Sequence, residues 1–253
     1  MCILHFMNTV RITCLGSGDA FSSGGRRMSG HYIETPESAL LLDCSPTVIE
    51  ALKSLNLSAA SLDMVFLSHL HGDHFLGLPF LFLHCLYIEP RTRPLCIAGS
   101  PGTEGRVRSL FNLAYTDTAA EPLPFDLDFT DALPDIAIET KDIKIIPFPV
   151  PHQTSPTSLG CEIIAGGRKI VYSGDSGWTE VLPAYTQGAD LFLCECTFFE
   201  SRSDTHLDYP RIVENRERFG AKRIVLTHIG QEVLNRRDEI DLEMASDGLV
   251  IEL

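Results

Sequence analysis

Ser68-His69-Leu70-His71-Gly72-Asp73-His74 sets three histidines and one aspartate within six residues, directly after the apolar run Met64–Leu67. Neutral imidazole is the commonest protein ligand for Zn²⁺, and carboxylates supplement it on a metal of borderline softness. In a loop leaving a strand, the alternate side chains of His69 and His71 converge on one point, and the following turn swings Asp73 and His74 toward a second. With nine histidines in 253 residues, such clustering by chance is improbable. One loop cannot close two metal sites, so further ligands have to come from elsewhere. Candidates stand where apolar runs end: His152 after Phe148-Pro149-Val150-Pro151, Asp175 in Tyr172-Ser173-Gly174-Asp175-Ser176, and His228 in Val225-Leu226-Thr227-His228. Singly, each has a plainer reading, a satisfied polar cap for a histidine or a turn residue for an aspartate after glycine. Together with the cluster they make the second half of a binuclear site.

The rest of the chain agrees with a globular frame for such a site. Its 253 residues, 44% apolar and 21% charged, support a sizeable core in one large domain or two small ones. Because ligands from residue 69 to residue 228 must meet at one point, a single domain over residues 1–253 is expected. No apolar run reaches the roughly 18 residues that span a bilayer. The opening Met1–Met7 is apolar but too short for a signal peptide, with no basic leader or small-residue cleavage site. Twenty Lys and Arg against 34 Asp and Glu give −14, which disfavours a surface that grips nucleic acid all over and leaves a local basic patch open. Eight cysteines, most inside apolar runs such as Phe192-Leu193-Cys194, read as small buried hydrophobes in a reducing compartment, so the cytoplasm is the expected address. Cys194 and Cys196 share one face of a strand, but no second pair stands at zinc-finger spacing, and packing is their expected role.

Short β-type runs punctuated by helices organise the chain. Thr9–Cys14, His31–Glu34, Ala39–Leu42 and Met64–Leu67 read as strands, with a helix over Pro46–Leu55. A helix over Pro79–Ile88, a strand over Pro94–Ala98 and a helix over Gly102–Tyr115 follow. Asp135–Glu139, Ile143–Val150, Leu159–Ile164 and Lys169–Tyr172 form a run of strands, the last two joined through Gly166-Gly167. Asp190–Cys194, Arg223–Leu226 and Leu249–Leu253 are short buried strands, with a helix near Asp208–Phe219. Clusters of strands, each closed by a helix, recur in both halves. Two facing sheets with helices outside fit that pattern, though periodicity alone does not select the arrangement.

With its His-x-His-x-Asp-His run, a later His, an Asp in a Gly-Asp-Ser turn and a final Leu-Thr-His in this order, the chain resembles the metallo-β-lactamase superfamily. The likeness spans roughly residues 9–253 and includes Leu15-Gly16-Ser17-Gly18-Asp19 and Leu42-Asp43-Cys44. It implies an α/β (α+β) fold, a four-layer αββα sandwich carrying metal at one rim. It also implies that His69, His71 and His152 hold one divalent ion, that Asp73, His74 and His228 hold another, and that Asp175 bridges them. Zinc is the expected metal, with manganese and iron as alternatives. Asp73 would also orient the attacking water. Asp43 either fixes the tautomer of an imidazole or caps the helix just upstream of Pro46.

Glu195-Cys196-Thr197-Phe198 followed by His206 resembles the corresponding motif of ribonuclease Z and its phosphodiesterase relatives, down to the 22-residue step from His206 to His228. The resemblance implies that His206 binds phosphate or protonates the leaving oxygen, oriented by Glu195. The plainer reading of His206 is a surface loop residue ahead of a helix. Two departures argue against tRNA 3′-end processing. Only 22 residues separate His152 from Asp175, too few for the long arm that ribonuclease Z carries there, and Glu232 stands where those enzymes place a phosphate-contacting arginine. An armless relative, the phosphoribosyl cyclic phosphate phosphodiesterase, shares the layout and a near-terminal Asp-Gly like Asp247-Gly248. Its cysteine-rich zinc loop is absent, since Gly16–Gly30 holds no cysteine. The expectation is a binuclear zinc phosphodiesterase on a small anionic substrate, a nucleotide or cyclic phosphate, with Arg26, Arg27, Arg91 and Arg93 as candidate phosphate clamps. A lactone or carboxylic ester hydrolase is the alternative, followed by ribonuclease Z itself or a non-catalytic metal-binding sensor. A redox role fits less well, because flavodiiron relatives carry Glu where this chain has His71. Long nucleic acid and membranes are not expected as partners; a homodimer is, by analogy with ribonuclease Z.

Overall fold

Leu40-Leu41-Leu42, Met64-Val65-Phe66 and Leu191-Phe192-Leu193 are apolar at every position, so strands built from them need cover on both faces. The computed structural model, which describes residues 9–155 and 157–253, supplies that cover. The apolar opening Met1–Met7 lies outside the described residues. The first half of the chain forms β1 (Arg11–Gly16), β2 (Gly30–Glu34), β3 (Ala39–Leu42), β4 (Met64–Phe66), β5 (Leu95–Gly99) and β6 (Leu127–Asp131). The second half forms β7 (Ile138–Thr140), β8 (Ile143–Thr154), β9 (Thr157–Ala165), β10 (Arg168–Tyr172), β11 (Leu191–Glu195), β12 (Ile224–Thr227) and β13 (Glu243–Met244). The last strand, β14 (Val250–Glu252), returns to pair with β1.

Two seven-stranded sheets result, in the orders β14-β1-β2-β3-β4-β5-β6 and β13-β12-β11-β10-β9-β8-β7. Each runs antiparallel over its first four strands, counted from β14 in one and from β7 in the other, and parallel over the rest. Side-chain alternation then sorts the apolar residues. Ile12, Leu40, Leu42 and Phe66 face Ile163, Ile170, Leu191 and Leu193 across the space between the sheets. Leu41, Val65 and Leu67 point outward, under the helices α1 (Val48–Ser54), α3 (Leu78–Tyr87) and α4 (Thr103–Ala114). Phe192, Cys194 and Leu226 do the same on the other side, under α6 (Val181–Thr186), α7 (Tyr209–Glu214) and α8 (Arg216–Phe219). The architecture is the αββα sandwich, a mixed α/β fold with two sheets inside and helices outside.

Local chemistry explains the helices. α1 buries Val48, Ala51 and Leu52, and α3, with Pro79 in its first turn, buries Leu78, Leu81, Phe82 and Cys85, which is helical spacing. The expected helix over Asp208–Phe219 is two helices. Asp208 caps α7 by accepting from the Arg211 N–H at 3.0 Å, the chain leaves helical geometry at Asn215, and Gly220, at φ 58°, ends α8. The strand expected at Asp135–Glu139 begins instead at Ile138, because Asp135 adopts φ 64° and a left-handed residue turns the chain. Several elements have no counterpart in the sequence reading, among them the charged β6, the two-residue β13, α6, and α9 (Gln231–Asn235). The single-turn helices α2 (Gly72–Phe75) and α5 (Thr116–Ala119) complete the set. Cys194 and Cys196 are buried in the apolar layer under the second helical face, and burial pushes both thiols up, so they pack.

Strand ends gather at one rim. The His69–His74 loop leaves β4, Asp175 follows β10, Thr197 follows β11 and His228 follows β12, while His152 lies near the end of β8. The pairing of Glu195 with Thr227 sets the ends of β11 and β12 side by side, and the Leu159 N–H donates to the Ser68 carbonyl at 2.9 Å, tying the loop of one sheet to a strand of the other. No helix among the described residues is long and apolar enough to cross a membrane.

Candidate metal centre and cavity

Ring nitrogens of His69, His71 and His152 lie within 4.8 Å of one another, and so do donor atoms of Asp73, His74, Asp175 and His228. The structure thus brings all seven residues to one place. Hydrogen bonds fix how the rings face. Asp43, strained at φ 58°, accepts from the Ser68 N–H (2.7 Å), the Ser68 hydroxyl (2.8 Å), the Tyr172 hydroxyl (2.7 Å) and His74 Nδ1 (2.8 Å). A carboxylate can only accept, so Nδ1 of His74 carries the proton and Nε2 is bare. Asp43 therefore orients His74 and is not a helix cap. With its proton committed to Asp43, the Ser68 hydroxyl accepts from His69 Nδ1 at 3.1 Å. The Thr205 carbonyl accepts from His152 Nδ1 at 2.8 Å. The Thr197 hydroxyl donates to Glu195 Oε2 and accepts from His228 Nδ1, both at 2.9 Å. As neutral rings, these four imidazoles present a bare Nε2 to the same centre.

Those bare nitrogens face acceptors. His74 Nε2 lies 3.2 Å from Asp73 Oδ2 and 3.3 Å from Asp175 Oδ2, and His228 Nε2 lies 3.3 Å from both. Buried His69 Nε2, His74 Nε2 and Asp175 Oδ1 have no hydrogen-bond partner. A cluster of inward lone pairs is unfavourable unless something positive sits among them. The titration tendencies report the same demand. Burial lowers the proton affinity of His228, yet Asp175 and Asp73 outweigh it and raise the group to about 9. Burial likewise opposes, and Asp175 and Asp43 overcome, the rise at His74. Burial would raise the proton affinity of Asp73, but the neighbouring imidazoles of His228 and His74 outweigh it and hold the group below the ordinary carboxylate range. Nitrogen and carboxylate donors in this number fit divalent cations of the zinc type.

His206 adds a group outside that cluster. Its ring stacks on His228 with centroids 5.7 Å apart and meets His152 edge-on at 4.7 Å. Its Nδ1 donates to Glu195 Oε1 at 2.9 Å, leaving Nε2 free. Burial disfavours the charged ring, but the Glu195 carboxylate overrides this and raises its proton affinity. Glu195, fully buried, also accepts from the Ser176 N–H at 2.7 Å, so its position is fixed from three sides. His206 is therefore an anchored, partly buried group rather than a free surface residue.

These side chains line a cavity of about 650 Å³, with His71, Asp73, His152, Asp175, His206 and His228 among its walls. Phe21, Phe198 and Glu232 also line it; Phe198 belongs to the Glu195-Cys196-Thr197-Phe198 motif without a role of its own, and no sequence pattern points to Phe21, because loop residues carry no periodicity. The four arginines considered as phosphate clamps are engaged elsewhere. Arg26 donates to Ser17 and to the Ala245 carbonyl, Arg27 pairs with Glu50, Arg91 donates to the carbonyls of Ala60, Arg93 and Pro94, and Arg93 pairs with Asp63. The near-terminal Asp247 accepts from the backbone of Ser17 and Arg27 at 2.9 and 2.7 Å, so it staples the Gly16-Ser17-Gly18 turn.

Known proteins share this fold. The sequence profile of the β-lactamase superfamily domain matches residues 39–229. Ribonuclease Z of Ignicoccus hospitalis is 26% identical over 93% of each chain. Among solved structures, a metallo-β-lactamase-fold protein of Bacillus subtilis superposes with a TM-score of 0.79 at 21% identity, covering 97% of this chain and 100% of that one. The short form of human tRNase Z superposes with a TM-score of 0.76 at 24% identity, covering 95% and 98%. Profile, fold and histidine cluster agree: the chain belongs to the β-lactamase superfamily, as a metallo-hydrolase built on a divalent-metal-binding fold.

Proposed function

We propose that this protein is a binuclear zinc phosphodiesterase acting on a small phosphodiester such as a nucleotide or cyclic phosphate. His69, His71 and His152 would hold one ion, Asp73, His74 and His228 the other, with Asp175 shared between them. The metal pair supplies the positive charge and the activation of water that hydrolysis at phosphorus needs. Asp73, facing the cavity beside His74 and His228, orients the attacking water and accepts its hydrogen bond. As the new P–O bond forms and the old one breaks, His206 delivers the proton on Nε2 to the departing oxygen, and Glu195 stabilises the imidazolium that serves as donor. An alkoxide is a poor leaving group without that proton. Lys and Arg contribute nothing to the cavity lining among the described residues, so phosphate recognition falls to the metals and His206.

The observation that carries this reading is the Glu195–His206 pair, an acid held over the metal cluster. Phosphodiester cleavage has a double use for it, as proton donor to the departing oxygen and as a cationic partner for the anionic phosphate; an uncharged lactone has a use for the first alone. The short connection between His152 and Asp175, taken up by β9 and β10, favours a small substrate over tRNA. Purified protein loaded with zinc and assayed on bis-p-nitrophenyl phosphate beside a panel of lactones tests the reading. Turnover of the phosphodiester is expected; activity confined to lactones would replace it with the ester hydrolase.

A further inference from the structure

The cavity walls carry charges that the hydrolysis does not use. Glu232 lies in the first turn of α9, and its Oε2 accepts the backbone N–H groups of Phe199 (3.1 Å), Glu200 (3.2 Å) and Ser201 (3.2 Å). The Ser201 hydroxyl donates to its Oε1 at 2.5 Å. Four donors on one carboxylate keep it ionised, and the Ser201 hydrogen bond leads in lowering its proton affinity. The side chain cannot swing away from the cavity without leaving three N–H groups unpaired. A second carboxylate in the lining, Asp19, is fixed in the same manner by the N–H groups of Phe21 and Ser23 and by the Ser23 hydroxyl.

Among the described residues no Lys or Arg in the lining offsets these charges. Arg236, one helical turn after Glu232, is committed to Glu200 and Glu239 and lies over the Phe199 ring at 4.4 Å. The wall also carries Phe21, 87% exposed, and Phe198, with the uncharged polar side chains of Ser22, Thr197 and Gln231 among them. A substrate placed with its phosphorus over the metal cluster must lay its remaining atoms against these groups.

We propose that Glu232 is a specificity-determining residue that rejects a second anionic group, so that the cavity takes phosphodiesters whose only charge is at the reacting phosphorus and whose substituents are uncharged. The proposal rests on the phosphodiesterase reading. It sets the substrate apart from diphosphates and from esters carrying an additional phosphate. The physical ground is ordinary repulsion at short range, which salt weakens.

Thymidine 5′-(p-nitrophenyl phosphate) and its 3′-phosphorylated counterpart share a leaving group and differ by one phosphate. The zinc-loaded protein should turn over the first with at least about tenfold higher kcat/KM, a gap that narrows as salt rises from about 20 to about 500 mM. Glu232→Gln should cut the gap by about threefold or more. Equal or better use of the 3′-phosphorylated ester by the natural protein overturns the proposal. So does an unchanged gap in a Glu232→Gln variant that melts with the natural protein. Should that variant not fold, the salt series decides, and a gap insensitive to salt overturns it. Hydrolysis of neither ester brings down the phosphodiesterase reading and this proposal with it, an outcome distinct from hydrolysis without discrimination.

Discussion

The Thr197 hydroxyl joins two histidines of different duty, giving its proton to Glu195 and taking one from His228. Through Glu195 the same small network grips His206. If His206 is the acid, His206→Ala keeps both metals by elemental analysis and lowers the phosphodiesterase rate by about 10²–10⁴. Loss of metal in that variant would make His206 a ligand instead. The pH dependence has a definite sign. An acid is active when protonated, and Glu195 raises the proton affinity of His206, so the active form persists above the ordinary histidine range and is lost as pH rises through the raised value. Glu195→Gln removes that influence and should move the alkaline limb of kcat toward lower pH, which a rate profile measures directly. The ligand cluster is legible because four of its members, three histidines and Asp73, are neighbours in sequence. Thr197 was quoted in a motif without a role, since its partners reach it only through the pairing of β11 with β12.

At the level of elements, the turn after β10 shows how backbone constraints serve the site. Gly174 adopts φ 56°, and a Cβ there would stand 2.6 Å from the Leu159 carbonyl oxygen. Only glycine fits. Gly174→Ala should cost about 1–3 kcal/mol and displace Asp175, read out as a lower Tm together with a reduced metal content. Asp43 and His228 also sit in left-handed backbone, at φ 58° and 50°, without being glycine. Such strain persists where surroundings over-determine a residue, and both are held by several hydrogen bonds. Strands with apolar runs, such as β3, β4 and β11, were readable because burial on both faces leaves its mark at every position. β6, with its charges, and β13, two residues long, were not, because their pairing comes from a neighbouring strand rather than from their own composition. Likewise the break at Asn215 that splits α7 from α8 has no strong breaker to announce it.

Taken whole, the molecule is two similar sheets placed face to face, and the candidate ligands are shared between them. His69, His71, Asp73 and His74 come from the half built on β1–β6, whereas His152, Asp175 and His228 come from the half built on β7–β13. Ligands divided in this manner link metal occupancy to the stability of the entire fold. Stripping the metal with a chelator should lower Tm, and adding zinc at about 1,000 times its Kd should restore about 4 kcal/mol, measured by thermal unfolding across a metal titration. The net charge of −14 bears on the same point, because the two dications proposed for this rim would give an acidic chain a local place for an anion. The seven described cysteines are all free, so no covalent staple joins the sheets among the described residues. The metal pair would then be the fold's cross-link as well as its reagent. A cell short of zinc would be expected to lose not only the activity but the protein itself, as loosened sheets expose the apolar layer between them to proteases.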